Sequence, residues 1–413
     1  MKILFIHQNF PGQFLHLAPA MVKEGHDVHA LVMKKEAPSD WAGVRVHAYQ
    51  PTKGSTQGVH AWALDLETKI IRAESVFRKC LELKAQGFTP DVIVAHPGWG
   101  ESLFVKDVWP HAKVGLYCEL NYTETGNDVG FDPEFASNDP GDVCRLRLKN
   151  INNVMHYDIA DSAISPTHFQ ADTYPWPFRE KIKVMHDGID TKVIRPSATT
   201  TVQIKPGLRL SRTDEVITFV NRNLEPYRGY HIFMRSLPRL LKERPNAQVL
   251  IVGGDGVSYG RRPEGEGSWK QIFIDEVKPL MQDSDWDRVH FVGTVPHNQF
   301  VSLLQISTVH VYLTYPFVAS WSLLEAMSAG CAIVGSATAP VQEFIEDGKH
   351  GVLTPFFDQD LLIQNIVRLL DDPSLRAQLG QEARKKVQYY YDLHSVCLPK
   401  LVKWVDLLSH VRS

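Results

Sequence analysis

The pattern strand, glycine-bearing turn, helix, strand occurs twice in this chain. Lys2 to His7 (KILFIH) and Glu215 to Val220 (EVITFV) are short, predominantly apolar runs of strand length. After the first comes the turn Gln8-Asn9-Phe10-Pro11-Gly12-Gln13. A helix over Phe14 to Glu24 is then predicted, with Phe14, Leu17, Ala18, Met21 and Val22 on one face, and a strand HDVHALVM. After the second comes Asn221 to Gly229. A helix over His231 to Lys242 follows, with Ile232, Phe233, Leu237, Leu240 and Leu241 inward, and then AQVLIVG. Strands that are apolar on both faces and joined through helices belong to buried parallel sheets. Two such openings predict two Rossmann-like α/β domains. The stretch Arg195 to Arg212 loses apolar periodicity and is rich in Thr, Ser and Pro, so it marks the boundary.

Composition narrows the function. The 413 residues are 44% hydrophobic and 22% charged, a normal globular balance. A net charge of −3 gives no electrostatic case for nucleic acid. Five scattered cysteines (Cys80, Cys118, Cys144, Cys331, Cys397) form no Cys-x-x-Cys and read as reduced thiols of a cytoplasmic protein. The apolar core of MKILFIHQNFPGQF is too short for a signal peptide, and no run reaches the ~18 residues of a membrane span. The helix predicted over Leu64 to Gln86 carries five basic residues offset by four acidic ones. Peripheral membrane contact is therefore not favoured.

Several clusters fall at strand ends, where open α/β sheets bind ligands. Gly12 permits close backbone approach, but the first turn lacks G-x-G-x-x-G, which disfavours a nicotinamide dehydrogenase. Asp91 to Ala95 ends in His96-Pro97-Gly98-Trp99-Gly100-Glu101, where His96 suits a substrate hydroxyl and Trp99 an apolar ring face. The loop Glu119 to Pro140 is long and polar, and reads as part of an acceptor pocket through Glu119, Asn121, Tyr122 and Asp128. Asp158 to Ser165 and Lys181 to Met185 read as further strands, the second ending in His186-Asp187-Gly188-Ile189-Asp190. Val257 to Ser268 is a Gly- and charge-rich loop and reads as mobile. In the later stretch Thr314 to Gly330, Ser320 is the expected N-cap of a helix. Backbone N–H groups of 319–322 would face an anion, and Glu325 would face the hydroxyls of a ribose.

These pieces, in this order, resemble a family 4 glycosyltransferase of the GT-B fold over essentially the whole chain. The family's Gly-Arg-Leu…Lys-Gly phosphate turn is similar to Asn221-Arg222-Asn223…Arg228-Gly229, with Arg228 in place of lysine. Its Asn-Gly-Val-Asp resembles Asp187-Gly188-Ile189-Asp190. Gly253-Gly254-Asp255-Gly256 and Phe291-Val292-Gly293-Thr294-Val295 resemble its nucleotide-side turns. Leu324-Glu325-Ala326-Met327 resembles the second half of its Glu-x7-Glu motif, and Phe317 stands where the first Glu is usual.

The resemblance implies two Rossmann-like domains facing a central cleft. Residues 1–195 would form the acceptor domain, 196–212 a linker and 213–388 the donor domain, with a helix over 389–413 returning to the first. It implies a retaining, hexosyltransferase-type reaction from a nucleoside diphosphate sugar to a small-molecule or glycan acceptor. Arg222, Arg228 and His96 would be catalytic. The donor would meet Gly12, Arg222, Arg228, Gly254, Asp255, Val295, Phe317, Ala319, Ser320, Trp321 and Glu325. The acceptor would meet Trp99, Glu119, Asn121, Tyr122 and Asp128. No cofactor and no metal are required, and Asp283-Ser284-Asp285 reads as a solvated turn rather than a metal-binding pair. A nucleotide-sugar epimerase, a sugar phosphorylase and a non-catalytic nucleotide-sugar-binding protein are the alternative readings.

Overall fold

The computed structural model describes residues 1–410; the last three residues of the tail helix expected over 389–413 lie outside them. The chain forms two compact units. The first comprises Met1–Gly130, Glu134–Gly188 and the segment from Leu393 onward; the second comprises Phe131–Pro133 and Ile189–Asp392.

The first unit is built on an eight-stranded sheet. Its strands are β1 (Lys2–Ile6), β2 (Asp27–Met33), β3 (Asp40–Trp41), β4 (Val44–Tyr49), β5 (Val92–Ala95), β6 (Lys113–Tyr117), β7 (Ser162–Ser165) and β8 (Ile182–Val184). Their order is β3-β4-β2-β1-β5-β6-β7-β8, parallel throughout except for β3. Ile3 to Ile6 are fully buried, as a strand covered on both faces requires. The chain runs outward from β1 through β2 to β4 and returns beside β1 as β5. The topological switch point therefore lies between β1 and β5.

The last helix, Leu398–Leu408, belongs to this unit. Trp404 is buried under it and its indole N–H donates to Ser162 Oγ at 2.9 Å. A Cβ on Gly115 would stand 2.7 Å from Leu408 and 2.8 Å from Trp404, so the helix lies directly on the backbone of β6.

The second unit carries β9 (Thr201–Lys205) and β10 (Leu208–Ser211) as an antiparallel hairpin. A parallel sheet is formed by β11 (Val216–Asn223), β12 (Gln248–Gly254), β13 (Val289–Gly293), β14 (Val309–Tyr312), β15 (Ala332–Ser336) and β16 (Val352–Thr354). Its order is β13-β12-β11-β14-β15-β16, which repeats the logic of the first unit and puts the switch point between β11 and β14.

Five local expectations change. The linker expected at 196–212 is the β9–β10 hairpin, and it packs on the second unit's core through Val202, Ile204 and Leu208. The division falls earlier, at Gly188, because Ile189 already pairs with Asp392. The strand expected from Asp158 begins at Ser162, since Gly141–Ile159 is one helix whose apolar residues are too interspersed with Arg, Lys and Asn to stand out. The first helix starts at Leu17, after a single 3-10 turn over Gly12–Phe14. The tail breaks at Tyr391–Asp392 rather than at Pro399, which sits in the first turn of the last helix, where its missing N–H costs nothing.

Candidate functional site

In the first unit, the ends of β1 and β5 bring a ring cluster to the switch point. His7 follows β1. Its Nδ1 accepts from the Asn9 N–H at 2.9 Å, so Nε2 carries the proton and donates to Gln13 Oε1 at 2.6 Å. Burial, with His96 beside it, lowers His7 to about 4, which keeps the ring neutral. Gly12 is required by this ring. Its φ is +47°, and a Cβ there would stand 2.3 Å from His7 Cε1.

His96 follows β5 and is 2% exposed. Its Nδ1 accepts from the Gly98 N–H at 3.2 Å, which leaves the proton on Nε2. That N–H is buried with no hydrogen-bond partner among the described residues; the Glu119 carboxylate stands 3.6 Å away, beyond hydrogen-bond reach. Trp99 stacks on His96 at 4.5 Å and meets His7 edge-on at 5.0 Å. Tyr117, at the end of β6, donates to Asp187 Oδ2 at 2.9 Å. Glu101, at the end of the same loop, is buried and accepts from Tyr49 Oη at 3.0 Å, and burial raises its carboxyl. The site therefore offers one buried, directed N–H beside an indole.

The loop after Cys118 divides. Asn121 donates to the Thr173 carbonyl, and its Oδ1 accepts from Asn153 Nδ2 and Tyr157 Oη. Tyr122 exchanges backbone bonds with Asn150, and its ring takes Lys149 Nζ at 3.6 Å from the centroid. Asn121, expected to read an acceptor, thus anchors the loop to the helix Gly141–Ile159. Asp128 is buried, with its charge felt at Lys149. Phe131–Pro133 belongs to the second unit. There Asp132 Oδ2 accepts from Tyr315 Oη at 2.7 Å and lies 3.0 Å from His231 Nε2.

In the second unit, Arg228 spans the switch point. It follows β11, is 4% exposed, and donates through Nη1 to Thr314 Oγ1 at 2.8 Å and to the Val318 carbonyl at 2.9 Å, both beyond β14. Gly229 follows at φ +68°, with no room for a Cβ against Leu313. Arg222, expected in the turn after the strand, lies near the end of β11 and is exposed. Glu225, to which the sequence assigns no role, is fully buried in the turn after β11. Its carboxylate accepts from the backbone N–H groups of Ser258, Tyr259 and Gly260 at 3.0, 3.3 and 3.0 Å. Asn223 adds bonds to Gly256 N and Ser258 Oγ. The start of the 257–268 loop, expected to be mobile, is thus pinned by two side chains of the β11 turn. Tyr259 then covers the Arg228 guanidinium at 4.8 Å and packs on Phe317 at 5.0 Å. The spacing Glu225–Arg228 was visible in the sequence, but nothing local showed that the glutamate would fold inward.

Other expected donor residues are held differently. Phe317 is 5% exposed and lies among Tyr227 and Tyr259, so it builds the wall behind Arg228. Ser320 caps the helix Trp321–Ser328 as expected, but its own N–H donates to Tyr312 Oη at 2.7 Å and the Ser322 N–H goes to Ser320 Oγ. Two of the N–H groups expected to face an anion are thus satisfied internally. Trp321 is exposed, and Ala319 packs on the core. Gly254 lies over Asn223, while Asp255 is paired with Lys270 at 3.0 Å. Glu325 is not solvated: its Oε1 takes His297 Nε2 at 2.7 Å, and that bond raises the His297 pKa. Val295 lines a groove of about 690 Å³ with Phe291 and the β9 strand. A larger hollow of about 950 Å³, between Lys349, Lys386 and Tyr389, shares no residue with the Arg228 set. Asp283 and Asp285 sit in a one-turn helix, with Asp285 bound to Arg288 at 2.7 Å.

Comparison with known proteins fits this geometry. Residues 24–194 match the model described as Glycosyl transferase family 4 group, and residues 203–386 match Glycosyl transferases group 1. The chain is 22% identical to the D-inositol 3-phosphate glycosyltransferase of Corynebacterium efficiens over 69% of its own length and 63% of that protein. Two other curated relatives are covered over only 43% and 42% of their lengths, so the chain spans between about two fifths and two thirds of these proteins. Sucrose-phosphate synthase from Thermosynechococcus elongatus superimposes with a TM-score of 0.73 at 18% identity, covering 99% of this chain and 100% of that one. Anabaena Alr3699/HepE in complex with UDP-glucose superimposes with a TM-score of 0.67 at 17% identity, covering 98% and 100%. No helix among the described residues is long and apolar enough to cross a membrane.

Proposed function

Because the chain belongs to the family 4 glycosyltransferases of the GT-B fold, we propose that it transfers a hexose-type sugar, with retention, from a nucleoside diphosphate sugar to a hydroxyl or amine of an acceptor. The observation that carries this reading is the buried Arg228, locked across the β11/β14 switch point by Thr314 and Val318. Only one of its nitrogens is used by those bonds, so the remaining N–H groups of the guanidinium are available to an anion. Cleaving a sugar C1–O bond places negative charge on the departing diphosphate. A cation already fixed there needs no reorganisation, and removing such a group typically costs ~2.7–4 kcal/mol. Arg222, exposed near the end of β11, adds a second charge.

Glu325 accepts from ribose hydroxyls, and the backbone near Val295 holds the base. On the first unit, the Nε2–H of His96 is offered to a sugar hydroxyl, and Trp99 offers a ring face to an apolar sugar surface. The leaving phosphate itself assists removal of the acceptor proton, so this scheme needs no protein nucleophile and assigns no role to a metal. UDP-glucose, the ligand of the Alr3699/HepE structure, is the first donor to try.

The test is nucleotide release from a panel of UDP-, GDP- and ADP-sugars, with and without a mixed set of hydroxyl and amine acceptors. Acceptor-dependent release of nucleoside diphosphate supports transfer. Interconversion of the sugar without release would mark an epimerase, phosphate-dependent turnover a phosphorylase, and binding without turnover a non-catalytic protein.

A further inference from the structure

The stretch that follows β13 runs from Gly293 through Val295 to His297, where the helix His297–Ile306 begins. Across from it, on the helix Trp321–Ser328, Glu325 projects a carboxylate whose side chain is only 13% exposed. His297 Nε2 meets Glu325 Oε1 at 2.7 Å, so the pair is a direct, charge-assisted hydrogen bond. His297 itself is 60% exposed, with its own helix supplying the ring of Phe300 at 5.9 Å. A histidine that accessible needs no carboxylate to survive. A carboxylate that covered does need a hydrogen-bond donor and a fixed rotamer.

On the reading that Glu325 takes the ribose, we propose that His297 is the residue that positions it: the imidazole holds Oε1 and turns Oε2 toward the vicinal hydroxyls. A carboxylate has about four lone-pair directions over its two oxygens, so engaging one with His297 leaves acceptor capacity for both ribose hydroxyls. Chain order supports the placement, because His297 lies two residues after Val295, on the strand end proposed to hold the base. His297 lies 28 residues earlier in sequence than Glu325, outside any local pattern around the carboxylate.

The experiment measures binding by calorimetry for three probes: UDP, its 2′,3′-dideoxy analogue and inorganic pyrophosphate. The proteins are wild type, His297→Leu, His297→Gln and Glu325→Gln. His297 is exposed, so its variants should fold. The expected result is that His297→Leu weakens UDP about tenfold, the size of one charged hydrogen bond, while leaving the dideoxy analogue and pyrophosphate unchanged. His297→Gln, which keeps an N–H donor, should recover most of the loss.

Equal weakening of all three probes by His297→Leu would overturn the proposal, since the histidine would then act on the phosphates or on folding. Wild-type UDP affinity in His297→Leu, with Glu325→Gln impaired, would also overturn it while leaving the ribose role of Glu325 intact. If Glu325→Gln left UDP affinity unchanged, the underlying ribose assignment would fail instead, and this proposal with it.

Discussion

The ring of Tyr259 covers the guanidinium of Arg228, 4.8 Å from its centroid to Cζ. The two residues come from different crossovers of the second sheet. They meet because Glu225, three residues before Arg228, reaches across to bind the backbone of 258–260. The flat face of the guanidinium is spent on an aromatic ring and one nitrogen on protein oxygens, so the cation can move little. A stacked cation of this kind gains ~0.5–2 kcal/mol from the ring. Replacing Glu225 with Gln puts an N–H₂ group among three backbone donors and leaves them poorly matched. The expected result is a stability loss of ~1–3 kcal/mol, faster proteolytic cutting in 257–268, and a raised donor KM. Limited proteolysis alongside kinetics checks it. Cutting rates and KM equal to wild type would refute the clamp.

Arg222 is exposed near the end of β11. Arg222→Ala should therefore leave the thermal transition in place while lowering turnover by about 10²–10³. Turnover close to wild type would remove Arg222 from the catalytic set and leave Arg228 to act alone.

Phe317 stands where the resembling family usually carries a glutamate. Here that position is 5% exposed and walled by Tyr227 and Tyr259. Phe317→Glu should not restore a sugar contact. It should instead cost ~2–5 kcal/mol, because an unpartnered polar group would be buried among rings. Phe317→Leu, apolar though smaller, should lose less. Urea denaturation of both variants decides this; a stable and more active Phe317→Glu enzyme would mean that the wall is open to the donor.

Gly12→Ala should damage the first unit locally. The new Cβ would lie 2.3 Å from His7 Cε1 at a φ of +47°, so either the ring or the turn must shift. Overpacking and strain of this sort cost ~1–3 kcal/mol. A lowered melting temperature is expected, together with weaker sugar-dependent binding, since His7 packs edge-on to Trp99 and beside His96. An unchanged melting temperature would show that the turn can relax freely.

Acid should destabilise the protein through histidines. Burial lowers His7, His156, His186 and His310 to about 4 from an unfolded value near 6.5. Between those limits the unfolded chain binds more protons than the folded one, so stability rises with pH. The contribution is complete above pH 6.5 and is lost as pH falls toward 4. Urea midpoints should fall steadily from pH 7 to pH 4.5. His310→Gln, away from both ligand clusters, should flatten that slope by one proton's share; an unchanged slope would mean that His310 is protonated in the fold.

What the sequence determined is whatever depends on short-range order. Apolar runs of strand length, helical stripes such as Ile232 to Leu241 and the cap at Ser320 are fixed by neighbours within a turn or two, and they suffice to place two parallel sheets. The same order puts His96 and Arg228 just beyond strand ends, because a parallel sheet always delivers its loops to one edge. Tertiary structure alone decided which side chains are free to act. Asn121 carries amide chemistry suited to a substrate, yet Thr173, Asn153 and Tyr157 use it up. Nothing in the sequence around Glu225 marks it as buried, yet the backbone N–H groups of 258–260 arrive from the next crossover and offset its desolvation. Glu325 looks ready for a ligand, yet it is already held by His297. Polar side chains take whatever partner folding brings within ~3 Å, and those partners lie tens of residues away. Apolar periodicity is a local property of the chain; the satisfaction of hydrogen bonds is a property of its three-dimensional neighbours.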